Sequence, residues 1–401
     1  MKATKKGYIT SKKFLKTTWM LLLLLVLCSS LILVTGCGSG SSGGSSGPEK
    51  NINPITGETC QSELPARPVM VSIPNDTYGA VPQSNISYAD IIYEFPVEGQ
   101  LTRLQAVYYS QFPEEFGPTR SVRYYFVDLA REYKAAHVGY GWGKKAHSYM
   151  KSCDIPHING MQDTELFYRN ETKTAPNNAY IKWADVEKRA EKEGWFNETQ
   201  TIEPFAFYSD DYVKDLEGMK ADAQKTVDKL ANTTDPEEMK ELKKAEGILA
   251  VNDKCDSVKV SSLGCNSKCV YNEETGLYDR YWYDEPYIDK ETQEQLSFSN
   301  VLVQKVQSNI MKDSETGLED EKGRLEIDMN SGGDALLFTR AEVIEGTWSK
   351  KTPDSRTVFT DKYGNQFRMS EGKTWVYVVD QNMKVEYETT KAEETPSTTA
   401  E

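Results

Sequence analysis

Two arginines in one short loop are the residues of this chain best suited to binding chemistry. They lie in the stretch GPTRSVR at residues 117–123, directly before apolar residues that recur at helical spacing. Ser121 is predicted to cap that helix, which would leave backbone N–H groups without partners beside Arg120 and Arg123. Such N–H groups, a helix dipole and guanidinium forks together form a site for a carboxylate or a phosphate.

Acidic residues nearby offer these arginines a structural role instead. Asp128 and Glu132 lie on one flank of the predicted helix, while Glu94, Glu98 and Arg103 lie on the preceding hairpin. Ion-pair networks within proteins are common, so internal pairing is the stronger of the two interpretations. Glu94 and Glu98 are also a candidate carboxylate pair for glycan cleavage, although a proline interrupts the strand that would carry both.

The three histidines give a weaker indication. His137, His147 and His157 are evenly spaced, but no zinc-type motif surrounds them. The sequence therefore predicts structural or exposed histidines, with no metal site and no cofactor. His137 is retained with Glu94, Glu98, Arg103, Arg120 and Arg123 as a candidate ligand-binding residue.

Hydrophobic periodicity predicts the elements that would position these residues. Strands are predicted at 67–73, where Pro74 would end the strand, and at 90–95 and 101–109, which form a hairpin. A helix is predicted from Val122 to Tyr133. Residues 137–183 are predicted to be irregular, with several short elements.

The second half of the chain changes character twice. The charged segment 210–247 predicts two solvated helices, the second capped by Asp235 with Pro236 at its first position. After residue 250 the pattern alternates with period two, which predicts strands. These are a hairpin at 269–283 and strands at 301–306, 324–329, 335–339, 357–360 and 374–379.

These elements predict an α+β fold. The predicted parts are a mixed N-terminal domain (51–208), a charged helical insertion (209–250), a β-rich C-terminal domain (251–385) and a disordered tail (386–401).

The N-terminus has the order of a secretory signal. Six lysines without an acid precede an apolar run from Trp19 to Val34, and the segment ends in Leu33-Val34-Thr35-Gly36-Cys37. A Gly before a Cys resembles the lipobox of bacterial lipoproteins, in which the thiol takes a diacylglycerol and the peptide is cut before it. The resemblance predicts a signal peptide at 1–36, lipidation of Cys37, a Gly/Ser tether at 37–50 and a location on the outer face of the cytoplasmic membrane. The alternative is an uncleaved membrane anchor with an incidental cysteine, but the apolar run spans a bilayer poorly.

Charge and cysteine content limit the function further. Loss of the six lysines takes the formal net charge from −14 to −20, which argues against nucleic acid as a partner. Five cysteines would remain after Cys28 leaves and Cys37 is lipidated, so at least one is unpaired. Cys265 and Cys269 are close enough in sequence to form a disulfide across a tight turn, and Cys255 could compete for either of them. Cys60 and Cys153 are the remaining two, and the sequence leaves the pairing among all five open.

Several stretches together resemble the YerB-like lipoproteins, which pair an N-terminal and a C-terminal domain of unknown function. The most specific are ADIIYEFPVEGQLTR (89–103) and FGPTRSVRYYFVDLA (116–130); EETGLYDRYW (273–282) represents the second domain. The chain departs from the family pattern at Pro74, Val81 and Pro176-Asn177-Asn178, and the segment 210–247 looks like an insertion. We expect the family pattern to have an acid and an arginine where Pro74 and Val81 stand, and Pro-His-Asn at 176–178. A family activity that depended on that acid or that histidine would be absent here.

The sequence thus predicts a membrane-anchored lipoprotein that binds a wall ligand or an envelope protein. The main alternative is an enzyme acting on wall glycan or peptide. A third is an assembly factor for another wall protein. A clustered Arg-Glu-His pocket would favour the first two functions, and a flat apolar patch the third.

Overall fold

The computed structural model describes residues 51–262, 265–313 and 316–390. The signal peptide, Cys37, the tether and the part of the predicted tail from residue 391 lie outside these residues.

The described residues form 24 strands, numbered in chain order. They are β1 (Val69–Asn75), β2 (Ile91–Val97), β3 (Leu101–Tyr108), β4 (Glu115–Phe116), β5 (Ala136–Gly139), β6 (His157–Asn159), β7 (Phe167–Arg169), β8 (Ala179–Lys182), β9 (Ala206–Phe207), β10 (Asp253–Lys254), β11 (Ser257–Ser262), β12 (Cys265–Asn272), β13 (Leu277–Trp282), β14 (Glu285–Pro286), β15 (Ser297–Phe298), β16 (Asn300–Val306), β17 (Ser308–Ile310), β18 (Leu325–Ile327), β19 (Gly332–Thr339), β20 (Glu342–Ser349), β21 (Val358–Asp361), β22 (Arg368–Met369), β23 (Thr374–Asp380) and β24 (Val385–Tyr387).

Five α-helices accompany them in the same residues: α1 (Tyr124–Glu132), α2 (Lys144–Ser152), α3 (Trp183–Glu193), α4 (Asp210–Leu230) and α5 (Pro236–Leu249). Short 3-10 turns lie at Ile86–Tyr88, Glu98–Gln100 and Thr164–Leu166. The α+β class is confirmed.

One mixed sheet joins strands from both halves of the chain. Its order is β10-β20-β19-β16-β23-β2-β3-β1-β5-β6, with β21 beside β20. The junction is a parallel pairing of β2 with β23, in which Ile91 lies opposite Thr374 and Glu94 opposite Tyr377. The predicted domain boundaries remain predictions, but residues from both predicted domains share this sheet.

Alternation along β2 creates a hydrophobic core on each face of the sheet. Ile91, Tyr93, Phe95 and Val97 point into one core, which α1 closes from the other side. Ile92 points into the opposite core. There it meets residues of the second sheet, whose order is β14-β13-β12-β11-β24.

Two prolines lie inside strands rather than at their ends. Pro74 was predicted to stop the first strand, yet β1 continues through it to Asn75. β1 pairs with β5 only at Val69–Val71, so the missing N–H of Pro74 costs no ladder bond on that side. Pro96 lies likewise beyond Glu94, the last residue of β2 that pairs with β23.

The helical segment follows its prediction closely. The Asp235 Oδ1 accepts hydrogen bonds from the backbone N–H groups of Glu237 and Glu238 at 2.9 and 3.1 Å, and Pro236 is the first helical residue. Three of its apolar residues are buried: Ala223, Leu230 and Ala245. The rest of the segment is mostly exposed, as its charges indicate.

Three local predictions need correction. Residues 137–183 contain a regular helix, α2, whose Met150 packs into a core. The predicted tail begins at 386, but β24 extends to Tyr387 because Val385 and Tyr387 pack against the second core. Cys265 and Cys269 cannot bridge a turn, because both lie on β12, and Cys269 is a buried free thiol.

Candidate functional site

The loop at residues 117–123 is fixed to the surrounding strands by its backbone. Its N–H and C=O groups bond to residues of four other segments, so the loop has little freedom to move. These hydrogen bonds are Ser84 N to Gly117 O (2.8 Å), Thr119 N to Ala179 O (2.7 Å), Arg120 N to Ser72 O (2.8 Å), Tyr140 N to Arg120 O (2.9 Å) and Val122 N to Gly141 O (2.9 Å).

The predicted helix cap at Ser121 is wrong. The helix α1 begins at Tyr124, and Arg123 occupies the capping position in an extended conformation without a side-chain cap. The Ser121 hydroxyl instead donates to the carbonyl of Tyr140 at 3.1 Å. The helix start therefore lies two residues later than predicted, and the two arginines do not share its first turn.

Arg123 is paired within the protein. Its Nε donates to Glu98 Oε2 at 3.1 Å, and its second terminal nitrogen bonds the other carboxylate oxygen. Burial by itself raises the pKa of Glu98, but the charge and hydrogen bond of Arg123 outweigh it and hold the pKa below its usual range. This fork-to-fork pair leaves Arg123 little capacity for a ligand anion.

Arg120 has no such partner and lines a cleft of about 610 Å³. Its Nε is buried without a hydrogen bond, and its guanidinium forms no ion pair with any described residue. Burial lowers the pKa of Arg120, and the charge of Asp76 offsets part of that effect. Among the described residues that line the cleft, Arg120 and Arg169 are cationic and none is acidic.

Asn159 brings a second unsatisfied donor to the same cleft. It ends β6 and is 1% exposed. Its Oδ1 accepts from the backbone N–H groups of Gly141 and Met161 at 2.7 and 3.1 Å, which fixes the orientation of the amide. The amide Nδ2 is therefore a donor, and it has no partner among the described residues. A buried donor without a partner is costly, which indicates a missing acceptor.

Arg103 adds a third positive charge directly behind the loop. It is 6% exposed and donates to the Ser121 carbonyl at 2.7 Å. Burial lowers the pKa of Arg103, and the charge of Arg123 lowers it further, whereas Glu98 acts in the opposite direction. Three arginines thus surround Ser121, and a ligand anion would reduce their mutual repulsion.

A second cleft, of about 750 Å³, lies beside the first and shares Ser121 and Trp142 with it. Its far wall comes from Met311, Lys312, Asp313, Asp320, Lys322, Arg324 and Glu326. Most of its charges are already paired: Arg123 with Glu98, Lys145 with Glu326, and Arg324 with Asp320.

Glu94 lies in the protein interior and does not join Glu98. It is 4% exposed and forms an ion pair with the fully buried Arg280 at 3.0 Å. It also accepts from the side chains of Asn75 (3.0 Å) and Thr102 (2.8 Å). Glu98 contacts Arg123 in the open cleft instead. The structure does not place these carboxylates around a common cavity, as a glycosidase pair requires.

His137 is also distant from solvent. It is buried within β5, where its Nε2 lies 3.1 Å from Gln105 Oε1. Burial, together with the neighbouring His157, lowers the pKa of His137 to about 3, so its imidazole is neutral at ordinary pH. His147 and His157 instead flank Trp142, at centroid distances of 4.2 and 5.4 Å. Among the described residues, no group of three or more His, Cys, Asp or Glu side chains is placed to hold a metal ion.

Sequence reasoning found Arg120 and missed most of its surroundings. Asn159, Tyr140, Trp142 and Arg169 come from other segments. The turn pair Asn159-Gly160 marks the end of β6 in the sequence, but it does not indicate that Asn159 lies beside Arg120. In the described part of the chain, no helix has the length and apolar content to cross a membrane.

Two family models match the chain. One is described as the N-terminal domain of a protein of unknown function (DUF3048) and matches residues 55–196; the other describes the C-terminal domain and matches residues 257–376.

Two comparisons extend over most of the chain. A protein of Bacillus subtilis (strain 168) named "Putative lipoprotein YerB" is 30% identical over 328 residues, covering 81% of this chain and 85% of that protein. The crystal structure of the YerB protein from Bacillus subtilis superposes with a TM-score of 0.65 and 27% identity, covering 84% of this chain and 99% of that one. The chain belongs to this family of YerB-like lipoproteins, and the resemblance predicted from the sequence is confirmed.

Proposed function

We propose that this protein is a lipid-anchored lipoprotein on the outer face of the cytoplasmic membrane, and that it binds an anionic wall ligand in the Arg120 cleft. The relative named as a lipoprotein and the lipobox-like segment ending in Cys37 support the anchor. Acylation of Cys37 would hold the described residues at the membrane surface through the Gly/Ser tether.

The unpartnered donors of Arg120 and Asn159 carry the binding proposal. Both line a cleft without an acidic residue among those described, in a chain whose formal net charge is −14. A carboxylate or phosphate accepts from a guanidinium fork and an amide together, so it would satisfy both donors at once. The cleft volume of about 610 Å³ lies within the usual range for small-ligand sites.

The enzyme alternative lacks a comparable observation. Glu94 is enclosed with Arg280, Glu98 is held by Arg123, and His137 is buried and neutral. Binding without catalysis needs none of these groups, and it uses Arg120, the arginine of the loop that has no ion-pair partner among the described residues.

Calorimetric titration of the soluble form without residues 1–37 tests the proposal. The probe is N-acetylmuramic acid, with the neutral N-acetylglucosamine as the ligand control. Arg120→Gln removes a charge-assisted hydrogen bond worth about 1.5–3 kcal/mol, so affinity should fall at least tenfold. Arg340→Gln, which removes an exposed arginine outside the cleft, is the matched control and should bind as the wild type does. Equal binding of the acid and the neutral sugar, or by the Arg120 variant and the wild type, would overturn the proposal.

A further inference from the structure

The two clefts adjoin at Ser121 and Trp142, which line both of them, and are together termed the groove. A ligand held at Arg120 that extended past the indole would reach the second cleft. The clefts measure about 610 and 750 Å³. A single sugar acid would occupy only the first of them, which leaves the second without an occupant.

The second cleft adds two cations without ion pairs. Lys312 and Lys322 are exposed there, and neither ammonium has an ion-pair partner among the described residues, although the acid Asp313 also lines this cleft. The first cleft contributes Arg120 and Arg169 with no acid among its described residues. Cations at both ends of one groove, in a protein that is acidic overall, favour a ligand with anionic groups at more than one position.

An aromatic ring lies between the two charged regions. The Trp142 indole stacks on the His147 ring with an interplanar angle of 12° and makes an edge contact with the His157 ring, and it also borders both clefts. The face of an aromatic ring carries negative potential, and the C–H groups of a sugar ring are weakly positive. A chain of sugar rings can therefore pack on this indole, whereas an open polyol phosphate chain has no ring to place there.

Building on the proposed function, we infer that the ligand is an acidic glycan that spans both clefts. One carboxylate would accept hydrogen bonds from Arg120 and Asn159, a sugar ring would pack on Trp142, and a further carboxylate would lie near Lys312 and Lys322. Each contact is non-covalent, and no bond of the glycan is broken.

Ligands of matched length separate this inference from the proposed function. The probes are a peptide-free octasaccharide of alternating N-acetylglucosamine and N-acetylmuramic acid, N-acetylmuramic acid alone, and the neutral chito-octaose. All three are titrated against the soluble form without residues 1–37. The acidic octasaccharide should bind at least tenfold more tightly than the monosaccharide, because a second set of contacts forms within one complex. Chito-octaose should bind at least tenfold more weakly than the acidic octasaccharide.

Variants at the second cleft complete the experiment. Lys312→Gln with Lys322→Gln should weaken octasaccharide binding about fivefold or more and leave the monosaccharide affinity unchanged. Lys225→Gln with Lys229→Gln on α4 makes the same change of charge at exposed positions outside the groove and should have no effect.

Three results would overturn the inference: an octasaccharide no tighter than the monosaccharide, a lysine double variant equal to wild type, or chito-octaose binding as tightly as the acidic chain. Arg120-dependent binding of N-acetylmuramic acid in the same titrations would then leave the proposed function in place. If N-acetylmuramic acid does not bind in an Arg120-dependent way, both the inference and the proposed function are overturned.

Discussion

Replacing Glu132 with Gln should destabilise the protein more than a typical single substitution. Glu132 ends α1 and is buried among groups from the connection between β20 and β21. Its carboxylate accepts from Lys350 Nζ at 2.9 Å, from Arg356 at 3.3 Å, and from the Thr357 backbone N–H and hydroxyl at 3.0 and 2.8 Å. One acid therefore neutralises two buried cations and ties the first half of the chain to the second.

The structure sets the expected magnitude. Removing one partner of a buried ion pair costs about 3–5 kcal/mol, because the remaining charge stays buried without compensation. Arg356 keeps its hydrogen bonds to the Glu203 carbonyl and its contact with the Phe205 ring at 4.1 Å. Lys350 loses its carboxylate partner, so Glu132→Gln with Lys350→Met should recover part of the loss.

The contacts of Glu132 with Lys350 and Arg356 also predict how stability depends on pH. Burial by itself raises the pKa of Glu132, but Lys350 and Arg356 outweigh it and hold the pKa below the usual value of 4.5. A carboxylate whose pKa is lower in the folded than in the unfolded state stabilises the protein at pH values above the unfolded-state pKa. This contribution is lost as the pH falls below about 4.5 and through the folded-state pKa. The Gln variant should lack that part of the acid sensitivity.

Urea unfolding followed by tryptophan fluorescence measures both effects. Glu187→Gln, an exposed change on α3, is the control and should lie within about 0.5 kcal/mol of wild type. A decrease of less than about 1 kcal/mol in the free energy of unfolding of Glu132→Gln at pH 7 would refute the reasoning. So would a variant whose stability falls below pH 4.5 as steeply as that of the wild type.

Three further predictions concern other parts of the chain. Cys37→Ala should abolish metabolic palmitate labelling and release the protein from the membrane; retained labelling would contradict lipidation at this cysteine. Replacing residues 213–246 by a short Gly-Ser bridge should shift the thermal midpoint by only a few degrees, because few of their side chains are buried; a collapse in expression would show that the segment is structural. Burial raises the pKa of Cys269 to about 11, so iodoacetamide at pH 8 should leave this thiol unmodified until the protein is unfolded, as peptide mass spectrometry can show.

Local patterns predicted the elements that depend on local chemistry. The hairpin of β2 and β3, the helix α1 and the Asp235 cap each lie within a short stretch whose periodicity or residue types define it. The pairing of β2 with β23 joins residues nearly 300 positions apart, and parallel pairing leaves no turn between the strands as an indication. The α+β class was therefore predictable, whereas the shared sheet was not.

The candidate site shows the same division. The spacing of the two arginines before a predicted helix indicated that they were important, but their separate roles depend on where α1 begins. Arg123 lies in extended backbone before the helix, so its side chain meets Glu98 and leaves Arg120 in the other cleft. Asn159 joins Arg120 only because β6 lies beside β5 at the end of the sheet. No sequence pattern encodes that approach.

Side-chain NMR of the soluble form tests the central claim most directly. The Arg120 Nε–H and the Asn159 Nδ2–H₂ groups give resolvable ¹⁵N–¹H correlations, which Arg120→Lys and Asn159→Ser identify by their loss. Titration with N-acetylmuramic acid should shift both correlations together, with one dissociation constant, because one carboxylate accepts from both donors. If neither correlation moves at saturating ligand, or if the neutral N-acetylglucosamine moves them equally, the cleft at Arg120 is not the anion site.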